Sequence, residues 1–540
     1  MRDRSLWSTS GALVAAFSLL GLVAVPLYQL VRHGLGEAGA VDTLLAEATR
    51  VPLVNTLWTG AVVAVVATAA GAAAAFVTER MVQRSGWLRI AVLLPLLVPG
   101  YVGALGFIRA YGPSGLSDDI FGVSLPGVFG PTGIVIVLAV NASPIAYLVT
   151  AAALRSRAEP NLVRAAQVHG AGPIAALRTI VAPLLAPALL GATALVFVSA
   201  VNAFGAPAFL GSPAGFETVT TRIYQDLALS ARPEAFSRAL LLALLLVLVA
   251  LIVVLAGERL LGGAGTATRT GGPTGTGAVR PGPARAAISL LLAIVALTTL
   301  IPLLVLILTA LTKGVGLPPV PANWTGAHFA EAVGERFLGA LARSLLLSAV
   351  AATIVVLLGS LVASLRGARA IRTMRTAVLL TFAVPGSTLA VAMLIAYGAT
   401  LRDTLLLILL AYLAKLWGVG HRVVEGAAGT VPPDLYRAAL SSGATAPTAV
   451  TTVVLPLLRP ALVAGWLLVF VIAFHELTMS SLLYGPGTAT LAVVILNLQQ
   501  LGDVPASAAL AVILTVPVLA VAIPVMALPR LSRWLFGARS

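Results

Sequence analysis

Few side chains in this chain can do chemistry. It has no cysteine, which excludes disulfides, thiolate metal sites and thiol nucleophiles. Its five histidines (His33, His169, His328, His421 and His475) never fall at metal-ligand spacing. Its only lysines are Lys313 and Lys415, and neither follows a glycine, so no Gly-x-x-x-x-Gly-Lys-Ser/Thr phosphate loop exists. No catalytic residue and no metal site is expected. What stands out is polar residues inside apolar runs: Asn141, Asn202, Lys415 and the pair His475-Glu476. A charge at mid-bilayer costs at least ~2.5 kcal/mol, so an ionisable residue there is functional by default.

Those runs must cross a membrane. Of 540 residues, 34 are Lys or Arg and 19 are Asp or Glu, about 10 % charged, where a soluble chain carries roughly 25 %. Hydrophobic residues make up 59 %, and mean hydropathy is +1.02. No soluble fold of this size hides that much apolar surface. A span needs about 20 apolar residues, and twelve stretches qualify: 10–31, 53–77, 88–110, 131–154, 186–210, 236–256, 287–311, 343–365, 376–398, 403–421, 461–483 and 506–529. Uniformly apolar runs such as Leu240–Leu255 exclude the alternating strands of a barrel. The first stretch exceeds the 7–15 residues of a leader's core and is expected to stay as an anchor.

The net charge of +15 is explained by topology. With the N-terminus inside, the inner loops and termini carry 23 Arg and 6 acids, against 9 Arg and Lys and 12 acids outside. The excess of basic residues on one side orients both termini to the cytoplasm. Arg366, Arg369, Arg372 and Arg375 are then a cytoplasmic anchor rather than a nucleic-acid patch.

The chain also repeats. A Gly/Thr/Pro-rich stretch around 262–283 reads as a solvated linker. It separates a first transmembrane domain (1–260) from a second (286–540), with 261–285 between. Arg164-Ala165-Ala166, Gly170-Ala171 and Pro183 recur as Arg437-Ala438-Ala439, Gly443-Ala444 and Pro456, every position offset by 273. Val98-Pro99-Gly100 echoes in Val384-Pro385-Gly386. Six spans per half make this a parallel repeat about an axis along the membrane normal.

The repeated loop has a readable local structure. In the second copy Pro433-Asp434 offers an N-cap, Leu435–Ser442 suits a short helix, Gly443 supplies a left-handed stop and Pro447 begins the next segment. The first copy reads Pro160-Asn161, Leu162–His169, Gly170 and Pro173. Such an exposed helix fits either a groove on another protein or a cover over the span ends.

This pattern resembles the Glu-Ala-Ala loop of permease subunits in binding-protein-dependent ABC importers. The spacing from the Ala pair to Gly170 and Gly443, and onward to Pro183 and Pro456, matches. Arg164 and Arg437 stand where that family carries glutamate, so a salt bridge made by the glutamate is not carried over. The resemblance implies an all-α polytopic protein of the type I ABC importer permease fold, with twelve transmembrane helices in two parallel six-helix repeats. It implies two copies of an ABC ATPase at the cytoplasmic face, using ATP and Mg, and an extracytoplasmic substrate-binding protein. No cofactor is expected on this chain, and no nucleic acid. The location implied is the bacterial cytoplasmic (inner) membrane.

Within the spans, the repeat offset pairs His475 with Asn202. Matched polar depth in spans five and eleven suggests pathway lining by Asn202, His475, Glu476 and Asn141. The alternative is a structural bond such as Glu476 to Asn141. Lys415 is expected to snorkel to the nearby interface. Pro95, Pro99 and Pro385 are expected to kink their helices. Glu476-Leu477, Gly485-Pro486-Gly487 and Thr490-Leu491-Ala492 resemble ferric-iron-type permeases, relatives of thiamine and phosphonate systems, which makes ferric iron the expected substrate. A twelve-helix ion-coupled carrier is the competing reading. Its Gly-x-x-x-Asp-Arg loop is missing from Thr78–Arg84, and Glu476 would be its lone coupling carboxylate.

Overall fold

The computed structural model describes residues 2–36, 40–82, 86–157, 160–261, 281–314, 316–318, 320–365, 369–429 and 431–527. Most of the linker (262–280) and Arg366 lie outside the described residues. The helix opening the second half begins at Pro281, inside the stretch read as linker. Among the described residues the chain is helical throughout, and its β pairing is one isolated bridge between Thr312 and Trp324.

Ten helices are long and apolar enough to span: Ser10–Gly36, Glu47–Met81, Pro131–Ser156, Leu177–Val201, Pro233–Gly257, Ala284–Leu311, Phe337–Ser364, Leu405–Ala428, Val450–Phe474 and Val504–Pro524. Two further spans are broken. Gly86–Leu97 meets Gly100–Phe121 at 96°, and Ile371–Ala383 meets Gly386–Leu401 at 110°. Counted in chain order these are spans 1 to 12, with spans 3 and 9 the broken ones. The kinks expected at Pro99 and Pro385, within the stretches 88–110 and 376–398, are near-right-angle breaks. The cause is local: a proline pushes the residue before it out of the helical region and donates no bond. Both breaks fall at Val-Pro-Gly, with Pro99 (ψ 137°) and Pro385 (ψ 141°) extended. The proline carbonyls then restart each helix, accepting from Gly103 N and Leu389 N at 2.9 Å.

Spans 5 and 11 lie earlier in the chain than expected, each ending nine residues sooner. Their helices end at Val201 and Phe474; after three non-helical residues, one-turn helices Gly205–Leu210 and Thr478–Leu483 follow. The segments Val219–Ala228 and Leu491–Gln500 then lead into the last span of each half.

Each half is built on one close helix crossing. A side chain at Gly71 of span 2 would lie 2.5 Å from the Ser143 carbonyl of span 4. At Gly359 of span 8 it would lie 2.8 Å from His421 N of span 10. Small residues let backbones approach in lipid, where no hydrophobic force drives helices together. The first span of each half instead leaves its own half. Ala15, Leu22 and Val23 of span 1 join a core with Leu347, Ala351, Met393 and Trp417 of the second half. Leu306 and Ala310 of span 7 join one that includes Val102, Leu105 and Phe107 of the first. The halves are thereby interlocked by exchanged arms.

Candidate functional site

The repeated loops form two near-identical devices. Helices Pro160–Val168 and Pro433–Ser441 are each nine residues long. Gly170 (φ +86°) and Gly443 (φ +90°) end them in the left-handed region, where a Cβ is disfavoured. In the first copy Ala171 N donates to Ala166 O (2.9 Å) and Gly170 N to Gln167 O (3.0 Å). In the second, Ala444 N donates to Ala439 O and Gly443 N to Leu440 O, both at 3.1 Å. This is the full Schellman stop, made twice.

Arg164, Ala165, Arg437 and Ala438 are exposed on these helices, while Ala166 and Ala439 are half-buried. Leu162 and Leu435 point apolar side chains outward, 45 % and 44 % exposed. Asp434 is not the N-cap expected of it. No side chain caps that helix, and Asp434 instead pairs with Arg437 at 3.5 Å. Short helices Pro173–Ala176 and Ala446–Ala449 follow. Next come single π turns at Leu177–Val181 and Val450–Val454, immediately before the helices containing Pro183 and Pro456. A proline lacks the donor its helix needs one turn earlier, and the wider turn absorbs the defect.

About one membrane-length helix away from each loop lie the polar residues of spans 5 and 11. Asn202 and His475 are not in mid-helix as expected: they are the C-caps where the helices stop. Glu476 follows in the break. Its carboxylate accepts from Met479 N (2.9 Å) and Ser480 N (3.3 Å), holding the start of the next short helix. The alternative, a Glu476–Asn141 bond, is not made. Asn141 donates instead to Pro95 O (2.9 Å) and Val98 O (2.8 Å), the carbonyls freed by the break of span 3.

Lys415 does the same work in the other half. It does not snorkel. Its Nζ donates to Phe382 O (2.9 Å) and Val384 O (2.5 Å), the carbonyls at the break of span 9. Asn141 and Lys415 are each the eleventh residue of their helix, Pro131–Ser156 and Leu405–Ala428. Glu476 makes no direct bond to Lys415: the Met479 and Ser480 amides hold its carboxylate, and the two carbonyls hold the ammonium. Both residues are only partly buried, so each faces open space.

Around Glu476, Tyr412 OH and Ser480 Oγ share a 2.6 Å bond, and Ser480 Oγ also donates to Glu476 O. Tyr101 is 4 % exposed, and its hydroxyl has no hydrogen-bond partner among the described residues; Asn202 Oδ1 and His475 Nε2 are likewise unpartnered among them. Tyr101, Tyr412 and Ser480 were not singled out by the sequence. The Val-Pro-Gly echo could have flagged Tyr101, which follows Gly100 directly. Also missed is a ladder on span 11: Trp466 stacks on Phe470 (5.2 Å), Phe470 on Phe474 (5.7 Å), and Phe474 leans on His475 (5.9 Å). Its fourfold spacing was legible. Among the described residues no group of three or more His, Cys, Asp or Glu could hold a metal.

Comparison with known proteins agrees with this architecture. The model of the family described as binding-protein-dependent transport system inner membrane component matches residues 67–261 and again 355–533. The chain is 27 % identical over 522 residues to a probable ABC transporter permease protein, y4fN, of Sinorhizobium fredii, covering 90 % of each chain. It is 24 % identical over 489 residues to the ferric transport system permease protein FbpB of Actinobacillus pleuropneumoniae, covering 86 % of this chain and 69 % of that one. A putrescine transport system permease protein, PotI, of Escherichia coli is 27 % identical over 225 residues, covering 39 % of this chain and 80 % of its own.

Proposed function

Because the chain belongs to the inner membrane components of binding-protein-dependent transport systems, as an ABC importer permease of the fused two-domain kind, we propose how it works and what it carries. It is not itself an enzyme; ATP is hydrolysed by a separate subunit. The helices at 160–168 and 433–441 seat in two ATPase subunits at the cytoplasmic face, with both termini of the chain on that side. A substrate-binding protein delivers cargo to the opposite face. ATP-driven approach of the two ATPases rocks the halves between outward and inward access. The single observation that carries this is the Schellman-stopped helix made twice in register, with its arginine, alanine pair and leucine at matching positions. Nothing in a bilayer-spanning scaffold requires two such exposed stops.

The cargo we propose is ferric iron, entering as substrate and passing the breaks of spans 5 and 11, with Asn202, His475, Glu476 and Asn141 along the route. Two ferric permeases among the relatives support it, matching 86 % and 80 % of this chain. Relatives named for putrescine, 2-aminoethylphosphonate and molybdenum match 31–44 % of it.

The test is a detergent pull-down of the tagged chain with its candidate ATPase, wild type against a Gly170→Asp/Gly443→Asp variant. Specific capture by wild type alone is expected; equal capture by the variant would remove the docking assignment. Uptake of radiolabelled ferric iron by vesicles holding the whole complex, competed with molybdate and a phosphonate, decides the cargo.

A further inference from the structure

Among the described residues four π turns close just ahead of a proline, and two of them leave a carbonyl near the middle of an exchanged arm. In span 1 the turn Leu20–Ala24 closes with Val25 N donating to Leu20 O, five residues back. The next carbonyl, Gly21 O, would then need the N–H of residue 26, which is Pro26 and has none. Span 7 repeats the defect. Ile301 N donates to Ala296 O, and Leu297 O faces Pro302. At the loop-side turns the corresponding residues, Arg178 and Thr451, open spans 5 and 11, whereas Gly21 and Leu297 lie near the middle of spans 1 and 7. In the arms no water is at hand, and a carbonyl in hydrocarbon must find a donor in protein.

Each finds one across the molecule. Tyr397 OH, on span 9 of the second half, donates to Gly21 O at 2.6 Å. Tyr111 OH, on span 3 of the first half, donates to Leu297 O at 2.5 Å. The two tyrosines are 286 residues apart, the spacing of the Val-Pro-Gly breaks on the same spans; the two carbonyls are 276 apart, the spacing of Pro26 and Pro302. Chance gives no reason for two independent offsets to agree. In both places the donor lies on the helix that restarts after the break, and the acceptor on the arm from the other half.

We propose that Tyr111 and Tyr397 are positioning residues for transport: each latches a foreign arm to a broken span, so that the arm travels with the half it lies against during the access cycle. An arm held only by apolar side chains can slide along its axis in lipid at little cost. A single bond to a carbonyl that has no other donor fixes its register. The rocking unit is therefore a half plus the other half's first span.

The chain has no cysteine, so an introduced pair carries its only thiols. A Cβ at Gly11 of span 1 would lie 3.0 Å from Leu361 Cδ1 of span 8. The experiment uses the whole complex in lipid and reads ATP hydrolysis stimulated by the loaded binding protein. A Gly11→Cys/Leu361→Cys pair joined by a short thiol cross-linker should keep stimulated turnover within twofold of the uncross-linked protein. A tenfold loss on cross-linking, recovered on cleaving a reducible linker, means the arm must slide and overturns the proposal. Tyr397→Phe should lower stimulated turnover five- to tenfold with the amount of membrane-inserted chain unchanged. Cross-linking the arm in the Tyr397→Phe background should restore it. An unaffected Tyr397→Phe, or one the cross-link fails to rescue, overturns the latch as surely. Tyr111→Phe reports on the symmetric site, and its effect should match.

Discussion

At the break of span 3 a neutral amide, Asn141, holds the carbonyls of Pro95 and Val98. At the break of span 9 an ammonium, Lys415, holds those of Phe382 and Val384. The backbone problem is the same, a Val-Pro-Gly bend that strips a helix of its own donors. The solutions differ by one unit of charge. The difference continues at the next break, where Asn202-Ala203 in the first half faces His475-Glu476 in the second, at the offset of the repeat. The fold needs a donor at each bend and gets one in both halves. Charge is not needed for the bend, because Asn141 does without it. Under the proposed function Lys415 and Glu476 are assigned to what passes between the halves, and the loops, kept alike in both, to what drives them.

The sharpest way to break this comparison is at the loops, where the halves should behave alike. Gly443→Asp puts a Cβ and a carboxylate at φ +90°, a conformation costing ~1–2 kcal/mol for an L-residue. It should abolish uptake and ATPase coupling while membrane insertion, measured by the amount of chain in washed membranes, stays normal. Gly170→Asp should do the same. A variant of one loop that transports normally would end the equivalence.

Next in size is the charged break. Lys415→Asn gives the second half the first half's solution. What is lost is a charged donor to the Phe382 and Val384 carbonyls, for ~1–3 kcal/mol, read by thermal unfolding in detergent. Adding Glu476→Ala should leave uptake lost. If the double variant transports, neither charge serves passage. Asn141→Leu is milder. It strips donors from two carbonyls, one of which faces the N–H that Pro99 lacks, for a loss of ~1–2 kcal/mol. Uptake should fall severalfold without vanishing.

How much of this was legible follows from what sequence encodes locally. Twelve spans, the parallel repeat and the loop stops were readable, because hydropathy, a constant offset and a glycine each speak for themselves. The bends at Pro99 and Pro385 were expected as kinks, but not at 96° and 110°, since the angle depends on where the following helix packs. The ends of spans 5 and 11 were misplaced because apolar composition runs on through Ala203 and Leu477 after helical bonding has stopped. Lys415 was misread for a related reason. Its distance from the interface suggested snorkelling, whereas carbonyls freed two spans' worth of chain away offered a closer partner. The repeat offset of 273 carries Asn141 to Ala414, one residue short, so the match with Lys415 emerges only from the shared position in the two helices.

The smallest prediction tests whether the loops are alike in energy as well as in shape. Asp434 and Arg437 pair at 3.5 Å with side chains 88 % and 76 % exposed. The first copy has Asn161 at the position of Asp434, and so no acid for Arg164 at that spacing. A pair this exposed is screened by solvent and salt, so its loss should change stability by no more than a few tenths of a kcal/mol. Asp434→Asn makes the second loop a copy of the first and should leave thermal unfolding unchanged. Its effect should appear instead in the salt dependence of ATPase docking, because the second loop's arginine then presents its full charge as the first's already does. Identical docking at low and high salt would mean that neither arginine meets charge on the partner, and that the loops are read by shape and by Leu162 and Leu435 alone.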